Sequence, residues 1–358
     1  MSQAGARSRT PAALGYRWPA EWEPHAATWL AWPHERSDWP GKFGPIPWVY
    51  GEVVRQLVPG ERVRILVEDA STERQARAIL RRVGVDLGRV DFFRIRTDRS
   101  WTRDFCPLFV RRKDGDVALV NWKFTGSAKY LNWKHDDAVP DRLARLLDRR
   151  QWKPVFAKGG KRIVLEGGAI DVNGRGTLLT TEECLLGPEQ ARNPGATRAD
   201  IEQALAAHLG VRHVLWLGEG IVGDDTHGHV DDVARFTDER TVVVVTEEDT
   251  ADPNHRRLLG NRRRLEAATD QDRRPLRVVT LPMPAPLSFE GQRLPASYAN
   301  FYIGNAAVLV PTFNDPQDRH ALATLAKLFP TRRVVGIHAV DLVLGLGTLH
   351  CMTQPEPA

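Results

Sequence analysis

The chain has 358 residues, of which 42% are hydrophobic and 27% charged, and its formal net charge is +5. These values predict a packed globular core, and the basic residues are spread along the chain rather than gathered on one face, which argues against nucleic acid binding. No apolar run approaches the roughly 20 residues of a membrane helix. Three cysteines without a CxxC pair argue against a disulfide framework, and the first residues lack an apolar signal region, so we expect a cytoplasmic protein.

The N-terminal segment differs in composition from the rest of the chain. Residues 1–16 are mostly small, polar or basic, and we predict that they form a disordered tail. No low-complexity linker interrupts the sequence after this point. The sequence therefore predicts a single catalytic domain over residues 17–358.

Within this domain, short β-rich runs alternate with amphipathic helices. The predicted elements are, in chain order, strand 62–68, helix 72–83 with a Ser71 cap, strand 90–96, helix 198–209, strand 211–217, helix 254–268, strand 276–281, strand 307–311, helix 317–329 with an Asn314 or Asp315 cap, and strand 333–337. Four or five such units favour an α/β repeat closed on itself. Periodicity alone does not distinguish a doubly wound sheet from a propeller-like ring.

Four segments next to β-rich runs are dense in reactive residues and glycines: 101–107, 166–170, 223–232 and 345–354. Functional groups commonly lie on loops that rigid elements hold in place. In the last segment, Cys351 follows Gly345 and Gly347 and is a candidate nucleophile, although a thiol with a pKa of about 8.5 needs a nearby base or positive charge. The alternative is a buried, inert cysteine, which we favour for Cys184.

The segment 223–232 brings two histidines and several carboxylates together. If it forms a strand, the alternate residues His229 and Asp231 share one face, which suits a small cation. A metal site that uses His227, His229 and Asp231 stays open as an alternative, but no third soft ligand has zinc-like spacing.

Paired carboxylates suit the planar fork of a guanidinium group, and Asp104 and Asp231 are candidates for such a clamp. The alternative for Asp104 is an ion pair with Arg103. Glu166 precedes two glycines, which permit close backbone approach. It could orient His229 or close the floor of a pocket, or it could simply end a strand at 162–165.

Taken together and in this order, the motifs resemble those of the agmatine deiminase and bacterial-type peptidylarginine deiminase family of guanidino-group-modifying enzymes. The matching segments cover nearly the whole chain: TWLAWP (28–33), SWTRD (100–104), EGG (166–168), GTLLTTEECLL (176–186), RNP (192–194), GHVDD (228–232), SYANFYI (297–303), VPTFNDP (310–316) and HCMTQ (350–354). Each motif is weak alone, and their joint order is specific.

The resemblance implies a five-bladed α/β propeller (pentein-like) with pseudo-fivefold symmetry, formed by one domain. It implies Cys351 as nucleophile, His229 as general acid and base, and Asp104 and Asp231 as holders of the guanidinium group. It further implies substrate contacts from Asp225, Trp101 and Glu166, and it implies no metal or organic cofactor.

The activity implied is hydrolysis of agmatine to N-carbamoylputrescine and ammonia through a covalent amidino-cysteine, a step in putrescine biosynthesis. The alternative is deimination of arginine or peptidyl arginine to citrulline. Cys106, Asp232 and the pair Asp98–Arg99 depart from the pattern common in agmatine-specific members, which leaves the far end of the substrate open. A silent polyamine-binding module would lack the nucleophile or the histidine, and both are present. The expected partner is a small guanidinium compound, and homo-oligomerisation stays open.

Overall fold

The computed structural model describes residues 10–358 of the chain. The strands of this range are β1 (His25–Ala31), β2 (Arg62–Val67), β3 (Val90–Arg94), β4 (Leu108–Arg111), β5 (Val117–Val120), β6 (Gln151–Trp152), β7 (Asp171–Val172), β8 (Thr177–Thr181), β9 (His213–Leu217), β10 (Ala234–Phe236), β11 (Thr241–Thr246), β12 (Arg277–Pro282), β13 (Ser288–Phe289), β14 (Gln292–Arg293), β15 (Tyr302–Ile303), β16 (Ala307–Thr312), β17 (Arg333–His338) and β18 (Gln354–Pro357). The helices are α1 (Ile46–Leu57), α2 (Ala70–Arg82), α3 (Thr102–Phe105), α4 (Lys134–Asp137), α5 (Val139–Leu146), α6 (Glu182–Leu186), α7 (Arg198–Leu209), α8 (Pro253–Glu266) and α9 (Asp318–Leu328).

Five sheets in the described range share one arrangement, in which a central strand is antiparallel to one neighbour and parallel to the other. In chain order they are β18–β1–β2 (extended by β3), β4–β5–β6, β7–β8–β9, β10–β11–β12 and β15–β16–β17, and β13 pairs with β14 in a separate hairpin. The last strand therefore pairs with the first, and the two ends of the folded chain meet in one sheet. The α/β class is confirmed, together with the recurrence of one unit.

Local sequence explains the central strands and the helix ends. The run TVVVVT forms β11, where β-branched side chains suit a strand that is buried on both faces. Helix α7 begins with a capping box between Thr197 and Asp200 and ends at Gly210, whose φ of 72° is left-handed. No helix among residues 10–358 combines the length and apolar character needed to cross a bilayer.

Two predicted caps and one predicted strand are wrong. Helix α2 is capped by Asp69, which accepts from the Thr72 amide, so Ser71 lies inside the helix. Helix α9 begins after Gln317, which makes no capping hydrogen bond, and the predicted Asn314 and Asp315 lie in the preceding turn. Segment 162–165 forms isolated β-bridges instead of a strand. Which residue caps a helix, and whether a short segment pairs as a strand, depends on the direction of the preceding chain. The sequence pattern does not specify that direction.

The predicted disordered tail is also partly wrong. Residues 1–9 lie outside the described range, but Ala12–Leu14 form a 3₁₀ turn and Tyr16 is buried. The Tyr16 hydroxyl donates to Asp116, and its ring packs edge-on against Trp152 at 5.3 Å between ring centroids. One buried aromatic side chain supplies enough apolar contact to hold this short segment against the domain.

Candidate active site

Five polar side chains meet from five separate turns, each of which lies just before the antiparallel outer strand of one sheet. Asp104 precedes β4, Glu166 precedes β7, His229 precedes β10, Asn300 precedes β15 and Cys351 precedes β18. Because the five sheets share one arrangement, equivalent turns deliver their side chains to one place. Three of the four predicted catalytic residues, Cys351, His229 and Asp104, are in this cluster, and the fourth, Asp231, comes from the same turn as His229.

His229 lies at the centre of the carboxylates and is only 1% exposed. Its Nδ1 is 3.8 Å from Asp104 Oδ1 and 4.0 Å from Asp231 Oδ1, and its Nε2 is 3.7 Å from Glu166 Oε2. Burial alone would lower the pKa of this imidazole, but Asp104 and Glu166 outweigh burial and raise the pKa well above its usual value. His229 therefore carries a proton that it can donate.

The local backbone around His229 differs from the prediction. The segment was expected to be a strand, but His229 begins a 3₁₀ turn over Val230–Asp232. Gly228 makes this entry possible with a φ of 97°, a conformation that side-chain-bearing residues rarely adopt. His229 and Asp231 still lie side by side, because the tight turn brings them to the same side of the chain.

The two candidate guanidinium-holding carboxylates have different electrostatic environments. Burial, together with the neighbouring charges of Asp231 and Glu166, raises the pKa of Asp104 to about 7. Burial also acts against ionisation of Asp231, but a hydrogen bond from His350 outweighs it and lowers the Asp231 pKa. Such a separation of pKa values between neighbouring acids is typical of a site that divides roles between them. Asp231 is therefore the member of the pair that is ionised in the empty site.

Gly168 explains why the EGG motif needs a glycine at this point. A Cβ atom at this position would lie 2.6 Å from His229 Nδ1, 2.9 Å from Asp104 Oδ1 and 3.0 Å from Asp231 Oδ2. The Gly168 amide donates to Asp104 Oδ1 at 3.0 Å. The backbone thus takes the space that any side chain would need, and it fixes one oxygen of Asp104.

The Cys351 sulfur is buried between an amide and a carboxylate. Its Sγ is 3.2 Å from Asn300 Nδ2 and 3.8 Å from Asp231 Oδ2. The Asn300 oxygen accepts from Thr348 Oγ1 at 2.7 Å and from the His350 amide at 3.0 Å, which turns its NH₂ group toward the sulfur. Burial, and then the charge of Asp231, raise the pKa of the Cys351 thiol well above its usual value. Without a bound cation the sulfur is therefore held as a thiol.

A cavity with about 540 Å³ of space unfilled by protein atoms opens in front of the sulfur. The predicted site residues that line it are Cys351, Asp104, Asp225 and Trp101. Phe105, Phe124 and Tyr130 add aromatic rings to the lining, and Arg99 and Asp225 both contact Tyr130. The lining thus combines carboxylates, aromatic rings and one guanidinium group.

Asp225 is held by its neighbours rather than exposed to solvent. The Tyr130 hydroxyl donates to Asp225 Oδ2, and Lys129 Nζ lies 3.9 Å from the same oxygen. Burial, reinforced by the charge of Asp224, raises the pKa of Asp225. A ligand ammonium group that reached Asp225 would counter this effect.

Glu166 is not among the residues that line the cavity, so its predicted substrate contact is not supported by the structure. Its side chain is completely buried and pairs with Arg192 Nε at 3.2 Å. Burial opposes ionisation, but Arg192 and His229 outweigh it and lower the pKa of Glu166 to about 2. Glu166 is thus fixed on the Nε2 side of His229, at 3.7 Å, and the other role that the sequence left open, orientation of the imidazole, stays a prediction.

The metal alternative does not fit the described residues. His227 turns away from His229 and lies 3.6 Å from Glu189. Glu166, Cys184 and His229 do offer three ligand atoms within 4.8 Å of one another. However, Arg192 contacts both oxygens of Glu166, and the proton on His229 competes for the nitrogen that a metal would need. Burial raises the pKa of Cys184 to about 11, which agrees with the inert thiol expected from the sequence.

Sequence reasoning missed Asn300 as a site residue, although SYANFYI was among the matching segments. Its position just before β15 is the signal, because the other four clustered residues occupy the same place relative to their own sheets. His350 was also missed. It precedes the nucleophile and contacts Asp231, as described below.

Comparisons with known proteins agree with these features. The family model for Porphyromonas-type peptidyl-arginine deiminases matches residues 17–357. The agmatine deiminase of Ectopseudomonas mendocina (strain ymp) is 37% identical over 372 residues, which cover 98% of this chain and 97% of that protein.

Two solved structures show the same similarity in three dimensions. The agmatine deiminase of Enterococcus faecalis aligns with a TM-score of 0.89 and 31% identity over 98% of each chain. A C. jejuni agmatine deiminase with substrate bound aligns with a TM-score of 0.85 and 28% identity over 96% of each chain. The resemblance seen in the sequence is therefore confirmed, and the chain belongs to the Porphyromonas-type peptidyl-arginine deiminase family.

Proposed function

We propose that this chain is an agmatine deiminase, a hydrolase of C–N bonds in linear amidines that converts agmatine to N-carbamoylputrescine and ammonia and so contributes to putrescine formation. The observation that carries the proposal is a cluster of four side chains. Cys351 and Asp104 line a small cavity that also contains Asp225, and Asp231 and His229 lie 3.8 Å from Cys351 Sγ and Asp104 Oδ1, respectively. The agmatine deiminases among its relatives support the same substrate.

Substrate binding follows from the charges of the cavity. A guanidinium group has a pKa above about 12 and enters as a cation. Asp231 is ready to receive it, and the arriving cation favours ionisation of Asp104. The aromatic walls suit a methylene chain, and Asp225 would accept hydrogen bonds from the amine at the far end.

The bound cation also activates the nucleophile. Because the carboxylates raise the thiol pKa of Cys351 in the empty site, a guanidinium that neutralises them lowers it again. The thiol loses its proton to solvent, and the resulting thiolate attacks the guanidinium carbon to form a neutral tetrahedral adduct. His229 donates its proton to the leaving nitrogen, the C–N bond breaks, and ammonia departs from an amidino-cysteine.

The second half of the reaction reverses the role of the histidine. His229, now neutral, takes a proton from a water molecule that attacks the amidino carbon. Collapse of this second adduct breaks the C–S bond and releases the ureido product, while the sulfur returns to its starting state. Glu166 and Arg192 hold the imidazole in place through both steps.

A parallel assay of ureido-product formation on agmatine, free arginine and an arginine peptide tests the substrate. We expect turnover of agmatine at a much higher kcat/KM than of the other two. We expect no turnover by Cys351→Ala, with agmatine binding largely retained. Near-normal activity of that variant would contradict the mechanism.

Deimination of arginine or peptidyl arginine is the second candidate, and Arg99 is the observation that favours it. This guanidinium lines the cavity beside Asp225 and could receive a carboxylate. However, Arg99 Nη1 already donates to the buried Asp38, and the guanidinium carbon lies 4.0 Å from the centre of the Tyr130 ring. The Arg99 guanidinium is thus already engaged by Asp38 and the Tyr130 ring, which favours agmatine.

We also propose that the five sheets are the blades of a five-bladed α/β propeller with pseudo-fivefold symmetry around the site. The shared strand arrangement supports this architecture, as does the delivery of one site residue from the same position in each sheet. The blades would form a single domain from residue 17 to residue 358, to which residues 10–16 add a folded edge. A cytoplasmic location belongs to the same proposal, because three free cysteines favour a reducing compartment.

A further inference from the structure

His350, the residue before the nucleophile, joins two carboxylates that come from distant parts of the chain. Its Nδ1 lies 2.7 Å from Asp231 Oδ2, and its Nε2 lies 3.0 Å from Glu21 Oε2. The three side chains are 0–6% exposed, so the chain of contacts is sealed from solvent. Nothing in the sequence motifs assigned a role to Glu21 or to this imidazole.

Both nitrogens of His350 must donate, because each faces a carboxylate oxygen at hydrogen-bond distance. An ionised carboxylate only accepts, so a neutral imidazole would satisfy one of the two acids and leave a lone pair facing the other. The imidazole is therefore a cation, and its charge is balanced by the two acids that it joins. Such buried ionic groups are tolerated when their hydrogen bonds are complete.

The far end of this chain of contacts is fixed by two buried arginines. Arg103 Nη2 donates to Glu21 Oε2 at 2.6 Å, and Arg235 Nη2 donates to Glu21 Oε1 at 2.9 Å. Arg235 is itself paired with Asp171 at 3.0 Å. The Glu21 carboxylate therefore has little freedom to rotate, and it holds His350 in one orientation.

At the other end of the contacts, the fixed orientation of His350 determines which oxygen of Asp231 is free. Asp231 Oδ2 is occupied by His350, whereas Asp231 Oδ1 has no hydrogen-bond partner within residues 10–358 and lies 4.0 Å from His229. One oxygen is thus committed to the imidazole, and the other is left to accept a donor. The other charged or titratable groups that act on Asp231 are His229, Arg235, Asp232 and Asp104, together with the thiol of Cys351. Arg103 donates to the His350 carbonyl at 3.3 Å.

We propose that His350 is a positioning residue that, anchored by Glu21, keeps Asp231 ionised and leaves one of its oxygens free for the guanidinium group. This inference deepens the proposed function and rests on it for the identity of the ligand. Substrate binding would then depend in part on a buried chain of contacts outside the cavity, from Glu21 through His350 to Asp231, which we call the relay.

The first test compares His350→Gln with His25→Gln. His25 is also buried, contacts the Glu61 carboxylate at 3.3 Å and the Glu21 carbonyl at 2.8 Å, and has no contact with Asp231. We expect His350→Gln to reduce kcat/KM for agmatine at least tenfold and to make the acidic limb of its pH profile steeper. Asp231 loses the cation that lowers its pKa, so it titrates together with Asp104, whose raised pKa sets this limb in the wild type. His25→Gln should leave the profile unchanged. A wild-type profile in His350→Gln, or the same steepening in His25→Gln, would overturn the proposal.

Glu21→Gln provides a second variant if His350→Gln does not fold. It keeps the shape of the side chain and replaces the ionised acceptor of His350 by a neutral one. We expect the acidic limb to become steeper, but less so than in His350→Gln. An unchanged profile in this variant would count against the relay.

A spectroscopic readout separates this proposal from the proposed function, because it needs no substrate. In ¹⁵N-histidine-labelled enzyme, the imidazoles of His229 and His350 should both carry protons on both ring nitrogens at neutral pH, and one of these two sets of signals should be absent from His350→Gln. If the wild type does not turn over agmatine but shows this signature, the substrate assignment fails and the relay stands. If the His350 signals are those of a neutral tautomer, the relay is wrong whatever the substrate.

Discussion

Substitution of Gly168 tests the site directly, because an added side chain would contact the proposed catalytic residues His229, Asp104 and Asp231. Gly168 does not have a left-handed φ, so alanine suits its backbone and only the added Cβ perturbs the structure. That atom would lie 2.6 Å from His229 Nδ1, and real Cβ atoms essentially never approach within 3.0 Å. The imidazole or the turn must therefore move by several tenths of an ångström.

The expected effect of Gly168→Ala follows from this displacement. A misplacement of about 1 Å in a catalytic group can reduce the rate about a hundredfold. We expect kcat for agmatine to fall by roughly tenfold to a hundredfold, with a smaller change in melting temperature than a core substitution causes. Steady-state kinetics and thermal unfolding of the same preparation measure both quantities.

Gly260→Ala is the matched control for this experiment. Gly260 lies inside helix α8, and a Cβ at this position would meet nothing within 4 Å. The control should keep wild-type kinetics and gain a little stability, since glycine costs about 0.5–1 kcal/mol relative to alanine inside a helix. If Gly168→Ala keeps kcat within a factor of about two while its fold is intact, the tight cluster around His229 does not control the reaction.

Three further predictions concern other parts of the site. Asn300→Ala should reduce kcat more than it changes KM, because Asn300 Nδ2 donates to the Cys351 sulfur at 3.2 Å. Turnover rates at saturating agmatine measure this effect, and an unchanged kcat would show that Asn300 has no part in the reaction. With the Asp104 pKa raised to about 7, kcat/KM should rise with pH through this value, because the protonated acid cannot hold a guanidinium; a profile that is flat from about pH 6 to 8 would contradict this role. Asp225→Asn should raise KM for agmatine at least tenfold and leave the weak binding of simple guanidine nearly unchanged, as competition experiments can show; equal losses for both ligands would mean that Asp225 does not bind the distal amine.

The elements that sequence predicts well are those whose cause is local. The helix Arg198–Leu209 was predicted with its observed bounds from the apolar stripe of Ile201, Leu205 and Leu209, and in the structure a capping box and a glycine define its ends. The caps of α2 and α9 were missed because several polar residues precede each helix and the chain direction selects among them. Tyr16 was assigned to a tail because its packing partners are far away in sequence.

The same distinction separates the site residues that were found from those that were missed. Cys351, His229, Asp104 and Asp231 belong to motifs with recognisable local composition, and all four come together. No local motif indicates contacts between distant residues. His350 and Glu21 are separated by 329 positions, and Glu166 contacts Arg192, which comes from another turn. Periodicity does not reveal which turns of a repeated fold converge, so the roles of these residues required the structure.

Sequence also left the architecture open between a doubly wound sheet and a ring. The structure shows five sheets with the same strand arrangement. In one of them, β18 pairs with β1 through hydrogen bonds between the two ends of the chain. The edge strands that carry this pattern are as short as two residues, as in β7 and β15. Such short runs have no periodicity to detect, so these edge strands were not predicted, and the longer strands β1 and β11 were missed as well.

The central claim is that the Cys351 sulfur attacks the guanidinium carbon and becomes covalently attached to it. Mass spectrometry of enzyme quenched with acid during turnover of agmatine measures this directly. We predict a peptide containing Cys351 whose mass is increased by one agmatine less one ammonia, and no such peptide from Cys351→Ala. Full turnover without any adduct on Cys351, or an adduct carried by Cys184 or Cys106 instead, would contradict the account.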